Sequence, residues 1–198
     1  MPLRVAINGF GRIGRTTMRA GFDRKKIQFV AVNDLTDPAV LSHLLKHDSV
    51  FRTWEHDVTS DVSHLIIDEK KIPVFAEKDP ALLPWGKLKV DVVIESTGFF
   101  TKKDDAAAHL KAGAKRVVIS APSKDAPTFL MGVNHKTCRK DQTIINNASC
   151  TTNSVAPVAQ VMHEAFGVKK AMLTTIHSVT MEQNLVDGLP PGRKAHDL

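Results

Sequence analysis

The sequence predicts an α/β fold, a doubly wound and mostly parallel sheet, followed by the start of a smaller α+β unit. Three observations carry this. Short apolar runs alternate with helix-period segments from Arg4 to Asn146, the pattern of parallel strands joined by crossover helices. A G-x-G-x-x-G run, Gly9 to Gly14, lies between the first apolar run and the first helical one. Asp34 closes the second apolar run, 20 positions past Gly14. That is where a dinucleotide-binding fold of the Rossmann type needs an acid.

The elements follow in order. Arg4–Asn8 is a buried-type strand, and the helical pattern after Gly14 reaches about Phe22. In such a turn the first glycine permits the tight bend. The second lets the backbone approach a pyrophosphate, and the third lets the helix pack on the strand. Gln28–Asn33 is the next strand. Asp37 before Pro38 caps a helix to Lys46, which leaves Asp34 free to accept from ribose hydroxyls. A carboxylate there repels a 2′-phosphate, so NAD is expected over NADP.

Residues 48–75 read as a β-rich insertion. A hairpin turns at Asp68–Lys71, and Pro73 suggests an edge strand. A helical turn opens at Glu77–Pro80. Strand runs follow at Val90–Glu95 and Arg116–Ser120, with an Ala-rich helix from Asp104 to Ala112 between them, closed by Gly113. Strand-like runs at Phe129–Val133 and Thr143–Asn146 complete the sheet. Ligands of open parallel sheets lie at the carboxyl ends of the strands. Asn8, Gly9, Asp34, Ser96, Thr97 and Ser120 are therefore expected along one crevice, although Ser96 and Ser120 read equally well as turn serines.

Ser149 is a good N-cap for a helix from about Cys150 to Phe166, with Gly167 at its end and Pro157 as a blemish. A thiol at a helix start has its thiolate favoured. Ala171–His177 reads as a strand. A helix of about 16 residues carries the chain roughly 24 Å away, and about 7 extended residues bring it back roughly 23 Å. His177 would then meet Cys150 as a nucleophile–base pair. The same residues also read as a core cysteine and an unrelated histidine, one of nine.

The bulk numbers exclude several classes. Apolar content of 42% and charged content of 24% suit a soluble globular protein. No apolar run approaches a bilayer span, and Met1–Ile7 has no signal-peptide layout. A cytoplasmic protein without membrane contact is expected. The net charge of +6 fits a solvated basic surface or attraction of phosphorylated ligands. The basic residues are dispersed and show no nucleic-acid-binding motif, so nucleic acid is not expected as a partner. The two cysteines, Cys138 and Cys150, have neither a CxxC nor a zinc spacing, so no metal site is expected.

Several blocks together resemble the phosphorylating glyceraldehyde-3-phosphate dehydrogenases. They are Val5–Arg15, Val32–Asp34, Ser96–Thr101, Val118–Pro122, Ala148–Asn153 and Thr174–Ser178. The resemblance implies an NAD-dependent glycolytic oxidoreductase. It would convert glyceraldehyde 3-phosphate and inorganic phosphate to 1,3-bisphosphoglycerate through a thiohemiacetal and a thioester on Cys150, with His177 as base. Gly9, Gly11, Arg12, Ile13, Asp34 and Ser120 match cofactor contacts. Lys78 also does, where the family usually has arginine, a change that a backbone contact would survive and a guanidinium fork would not. Ser149, Thr151 and Thr180 match substrate and phosphate contacts. Ser154 stands where a second cysteine is common, and Leu189-Pro190 mildly supports NAD.

The resemblance divides the chain into an NAD-binding domain, residues 1–149, and an incomplete catalytic domain, residues 150–198. Family members continue well beyond Leu198 and form homotetramers. The substrate-phosphate arginines and most of the catalytic sheet would lie beyond the last residue. The 198 residues are thus expected to be an inactive or nearly inactive fragment, with the apolar helix face exposed and residues 178–198 poorly ordered. A paralogue acting on erythrose 4-phosphate is the closest alternative. A Cys–His hydrolase is disfavoured by the dinucleotide fold.

Overall fold

The computed structural model describes residues 1–183 and 185–188. Strand β1 (Leu3–Asn8) leads through the glycine loop into α1 (Arg12–Gly21) and back to β2 (Ile27–Asn33). Helix α2 (Pro38–Lys46) follows, then β3 (Val58–Ser60), β4 (His64–Ile67) and β5 (Lys70–Phe75). A 3₁₀ turn at Pro80–Leu82 precedes β6 (Val92–Glu95), α3 (Lys103–Ala106), α4 (Ala108–Lys111), β7 (Arg116–Ile119), β8 (Ile144–Asn146) and α5 (Cys150–Phe166).

The strands form one eight-stranded sheet in the order β3-β4-β5-β2-β1-β6-β7-β8. The run from β5 to β8 is parallel, and only the β3–β4–β5 flank is antiparallel. Chain order steps outward from β1 to β2 on one side and from β1 to β6, β7 and β8 on the other. The direction of winding reverses at β1, so the crevice at its carboxyl end is the natural ligand site.

The two-residue period of β1 divides the core. Val5 and Ile7 pack with Phe10, Met18, Leu41 and Leu45 under α1 and α2. Ala6 faces the opposite layer with Val30, Trp85 and Val93. Alternate residues of a strand point to opposite faces, and helices cover both. A third cluster, around Val117, Ile119, Ile144 and Ala106, seats the far edge.

Local chemistry ends the elements as read from the sequence. The Asp37 carboxylate accepts from Ala39 N–H at 2.8 Å, with Pro38 in the first turn of α2. Asp68 and Glu69 take left-handed conformations, φ 45° and 68°, in the β4–β5 turn, as a tight hairpin requires. Gly167 closes α5 at φ 67°.

Four expectations need correction. Strand β5 is not an edge, since it pairs with β4 on one side and β2 on the other. Pro73 is tolerated because pairing with β2 begins only at Val74, so its missing N–H interrupts no ladder bond on that side. Phe129–Val133 is not a strand. One bridge, Thr128 to Asn146, gives way to a turn in which Val133, Asn134 and His135 N–H groups all donate to Leu130 C=O. The Asp104–Ala112 helix is two short pieces that meet at Ala107. Ala171–His177 forms no strand, because no neighbouring strand accepts its backbone, and Met172, Leu173 and Ile176 are exposed.

Candidate active site

The glycine loop is required by contact. Gly9 has φ +87°, and a Cβ there would lie 2.5 Å from Thr97 N. A Cβ on Gly14 would lie 2.3 Å from Gly9 O, so α1 sits directly on the turn. Gly11 is the N-cap of α1 and makes no side-chain cap. The first N–H groups of the helix are therefore left for an anionic ligand.

Asp34 serves the same loop. Its carboxylate accepts from Phe10 N–H at 2.6 Å and from Thr36 N–H at 2.9 Å. Two of about four lone-pair sites remain for hydroxyl donors. A cavity of about 400 Å³ opens at these strand ends, lined among others by Asn8, Gly9, Gly11, Asn33, Asp34, Lys78 and Thr97. That volume falls within the usual range for small-molecule sites. Gly9, Gly11, Asp34 and Lys78 are thus brought together. Ser120 follows β7 and donates its N–H to Glu95 C=O at 2.9 Å, outside the cavity lining. Ser96 Oγ–H donates to Gly9 C=O at 2.7 Å, clamping the loop from the opposite strand.

Arg12 and Ile13 lie in the first turn of α1, beside the cavity. Ile13 is exposed. The Arg12 guanidinium pairs with Asp48 at 3.2 Å and with Asp187. Burial lowers the Arg15 pKa to about 10, while its guanidinium donates to Phe10 C=O at 3.0 Å and Asp187 C=O at 2.8 Å. Asp187 thus lies against α1 and Ser49. Leu189, Pro190 and the rest of the chain to Leu198 lie outside the described residues.

The thiol is positioned by backbone chemistry. Buried Asn146 accepts from Ala148 N–H at 2.9 Å and donates to Ala126 C=O at 2.8 Å. Ala148 then takes a left-handed conformation, φ 61°, which turns the chain sharply from β8 into α5. The Ser149 hydroxyl accepts from Thr152 N–H at 3.0 Å as N-cap. Cys150 becomes the first residue of α5.

His177 Nε2 lies 3.3 Å from Cys150 Sγ, and His177 Nδ1 lies 2.7 Å from Ser178 C=O. A carbonyl only accepts, so Nδ1 carries a proton and the neutral ring presents a bare Nε2 to the thiol. The hydrogen bond to His177 is the largest cause of a lowered Cys150 pKa, assisted by Thr151. The Ser178 carbonyl and then the thiol hold the His177 pKa above its ordinary value. Ser149, Cys150, Thr151 and His177 are thus assembled. Thr180 opens the 3₁₀ turn Met181–Gln183, with its N–H donating to Gln183 at 3.0 Å, and contributes no described bond to the pair.

Met181 was missed from sequence. It lines the cavity, and a Cβ on Gly11 would lie 2.9 Å from its Cε. Four residues span at most about 14 Å, so His177 is within that distance of a cavity-lining residue. Asn146 and Glu95 were also missed. The available signal was a polar residue ending an otherwise apolar strand.

The parallel sheet, the glycine loop and the crevice at the β1 switch point define a dinucleotide-binding α/β protein. Comparison with known proteins narrows that class. Residues 3–103 match the family model described as glyceraldehyde 3-phosphate dehydrogenase, NAD binding domain, and residues 149–196 match the C-terminal domain of the same enzyme. The chain is 52% identical over 189 residues to a glyceraldehyde-3-phosphate dehydrogenase of Geobacillus stearothermophilus and 51% identical over 189 residues to one of Priestia megaterium. It is 49% identical over 187 residues to one of Saccharomyces cerevisiae. Each match covers 94% of this chain and 56% of the relative, so the chain spans about half the length of these proteins. The chain belongs to the glyceraldehyde 3-phosphate dehydrogenase family.

Proposed function

We propose that these residues are the N-terminal part of an NAD-dependent, phosphorylating glyceraldehyde-3-phosphate dehydrogenase of glycolysis. In this reading residues 1–149 bind NAD and residues 150–198 begin the catalytic domain. The observation that carries it is the 3.3 Å approach of His177 Nε2 to Cys150 Sγ, on the chain that also builds the glycine-loop crevice. Gly9, Gly11, Asp34 and Lys78 would hold the cofactor, with Arg12, Ile13 and Ser120 at its margin. The uncapped α1 N-terminus suits the pyrophosphate, and the free lone pairs of Asp34 suit a ribose.

Bound NAD would supply the hydride acceptor. The chain's own residues do the rest. The Cys150 thiol gives its proton to His177 Nε2, the thiolate attacks the aldehyde carbon, and the alkoxide of the resulting thiohemiacetal takes that proton from Nε2. Bare Nε2 then receives the hydroxyl proton as the adduct is oxidised to a thioester. A phosphate oxygen attacks the thioester carbon, the C–S bond breaks, and Cys150 leaves as thiolate with an acyl phosphate as product. A helix-start thiolate is a good nucleophile and a good leaving group. Ser149, Thr151 and Thr180 are proposed as substrate and phosphate contacts.

Among the described contacts of Cys150 and His177 there is no lysine or arginine to hold a substrate phosphate. The 198 residues alone are therefore proposed to bind NAD but turn over little aldehyde. A cytoplasmic homotetramer is proposed for the longer protein. No helix among the described residues is long and apolar enough to cross a membrane. The test is phosphate-dependent NADH formation by a longer chain carrying these residues, with glyceraldehyde 3-phosphate and erythrose 4-phosphate compared. Preference for the four-carbon aldose would move the assignment to the paralogue. Robust turnover by the 198 residues would overturn the fragment reading.

A further inference from the structure

A closed polar network crosses the sheet just beneath the crevice, and its deepest members do not themselves line the crevice. Glu95, at the end of β6, is 1% exposed, and His109, on α4, is fully buried. Glu95 Oε1 accepts from Thr97 N–H at 2.9 Å and from the Thr97 hydroxyl at 2.5 Å. Glu95 Oε2 accepts from Asn8 Nδ2 at 2.6 Å and from His109 Nε2 at 2.9 Å.

The directions of the His109, Asn33 and Asn8 bonds are determined. The Trp85 indole N–H, a donor only, lies 3.0 Å from His109 Nδ1. Nδ1 must accept, so Nε2 carries the proton and donates to Glu95. Asn33 Oδ1 accepts from Glu77 N–H at 2.9 Å, which fixes its amide, and Asn33 Nδ2 donates to Asn8 Oδ1 at 2.7 Å. That in turn fixes Asn8 Nδ2 as donor to Glu95. The carboxylate receives four donors, its full capacity, with no cation among them. Burying a polar group this completely costs desolvation that its hydrogen bonds must offset.

We infer that Glu95 and His109 are positioning residues for the dinucleotide. Glu95 ties both walls of the crevice to one point. Asn8 precedes the glycine loop, and Thr97 is the backbone on which Gly9 closes. Asn8, Asn33, Glu77 and Thr97 all line the cavity, whereas Glu95 and His109 do not. Trp85 selects the His109 tautomer, His109 completes the carboxylate, and the carboxylate sets the spacing of the walls.

The inference rests on reading the crevice as the NAD site, and the test separates the two. Isothermal titration of NAD is run on the parent chain, Glu95→Gln, His109→Leu and His109→Gln, each well below its own melting midpoint. Glu95→Gln presents an amide N–H₂ to donors, and His109→Leu removes a donor. Each is expected to weaken NAD about 10-fold. His109→Gln restores an N–H toward Glu95 and is expected to recover to within about 3-fold. As a measurement that needs no variant, the Trp85 indole N–H resonance should shift on NAD addition while that of Trp54 does not. Lower melting with unchanged affinity, or NAD binding without the Trp85 shift, overturns the positioning role alone. Failure of the parent to bind NAD at all overturns the functional reading and the positioning role with it.

Discussion

The two ends of this chain hold their functional groups in opposite ways. From β1 to β8 the residues of the crevice rest on three apolar clusters and on a polar network whose donors and acceptors match. From α5 onward Cys150 and His177 meet at 3.3 Å, yet α5 has no buried residue, and Phe166 and Ile176 are 76% and 103% exposed. The crevice is built by tertiary packing, whereas the thiol–imidazole pair is built by an N-cap, a left-handed alanine and one carbonyl. Binding and chemistry should therefore be separable.

The largest effect should come from the thiol. In a longer, active chain, Cys150→Ala is expected to lower aldehyde oxidation at least about 1000-fold while NAD affinity, read by titration, stays within about 2-fold. An equal loss of affinity would join the two regions. Gly9→Ala should do the reverse damage. Its Cβ would lie 2.5 Å from a backbone nitrogen at φ +87°, so a loss of about 3 kcal/mol of stability or more is expected in urea unfolding, together with weakened NAD binding.

The pair itself is tested by pH. With Cys150 lowered and His177 raised, thiolate forms below the ordinary thiol range. In a Cys138→Ser background, the pH profile of Cys150 alkylation should have its inflection below that range. His177→Asn should move the inflection upward, because the largest stabilising bond is gone.

The smallest effect lies far from both sites. His56 bridges Asp68 and Asp23, the latter at 3.1 Å. Burial opposes its charge, but the two hydrogen bonds and charges together raise its pKa above 6.5. The bridge contributes fully below the unfolded value and is lost as pH rises through the higher folded value. Because its carboxylates are exposed, solvent screening keeps this contribution small. His56→Gln should flatten that step in stability, which lies above the ordinary histidine range, and leave NAD binding unchanged.

What could be read in the sequence follows the same division. The glycine loop, Asp34, the Asp37 and Ser149 caps and Gly167 were legible because each is a local steric or capping requirement. Pro73 misled because a proline reports a missing donor, not which neighbour is absent. Phe129–Val133 and Ala171–His177 misled because apolar alternation cannot say whether a partner strand exists. His177 still reaches Cys150, through an extended segment rather than a paired strand. Glu95 and His109 were not singled out at all. Glu95 shows only as a polar residue ending an apolar strand, and the contacts that give His109 its meaning lie 14 to 101 residues away in sequence.

The separation is tested most directly by amide hydrogen exchange on the 198-residue chain with and without NAD. The amides of β1, β2, β6 and β7 should exchange only by global opening, those of α5 far faster, and NAD should slow exchange in Gly9–Ile13 and at Thr97 while leaving α5 unchanged. Protection of α5 equal to that of β1, or no response to NAD in Gly9–Ile13, would contradict it.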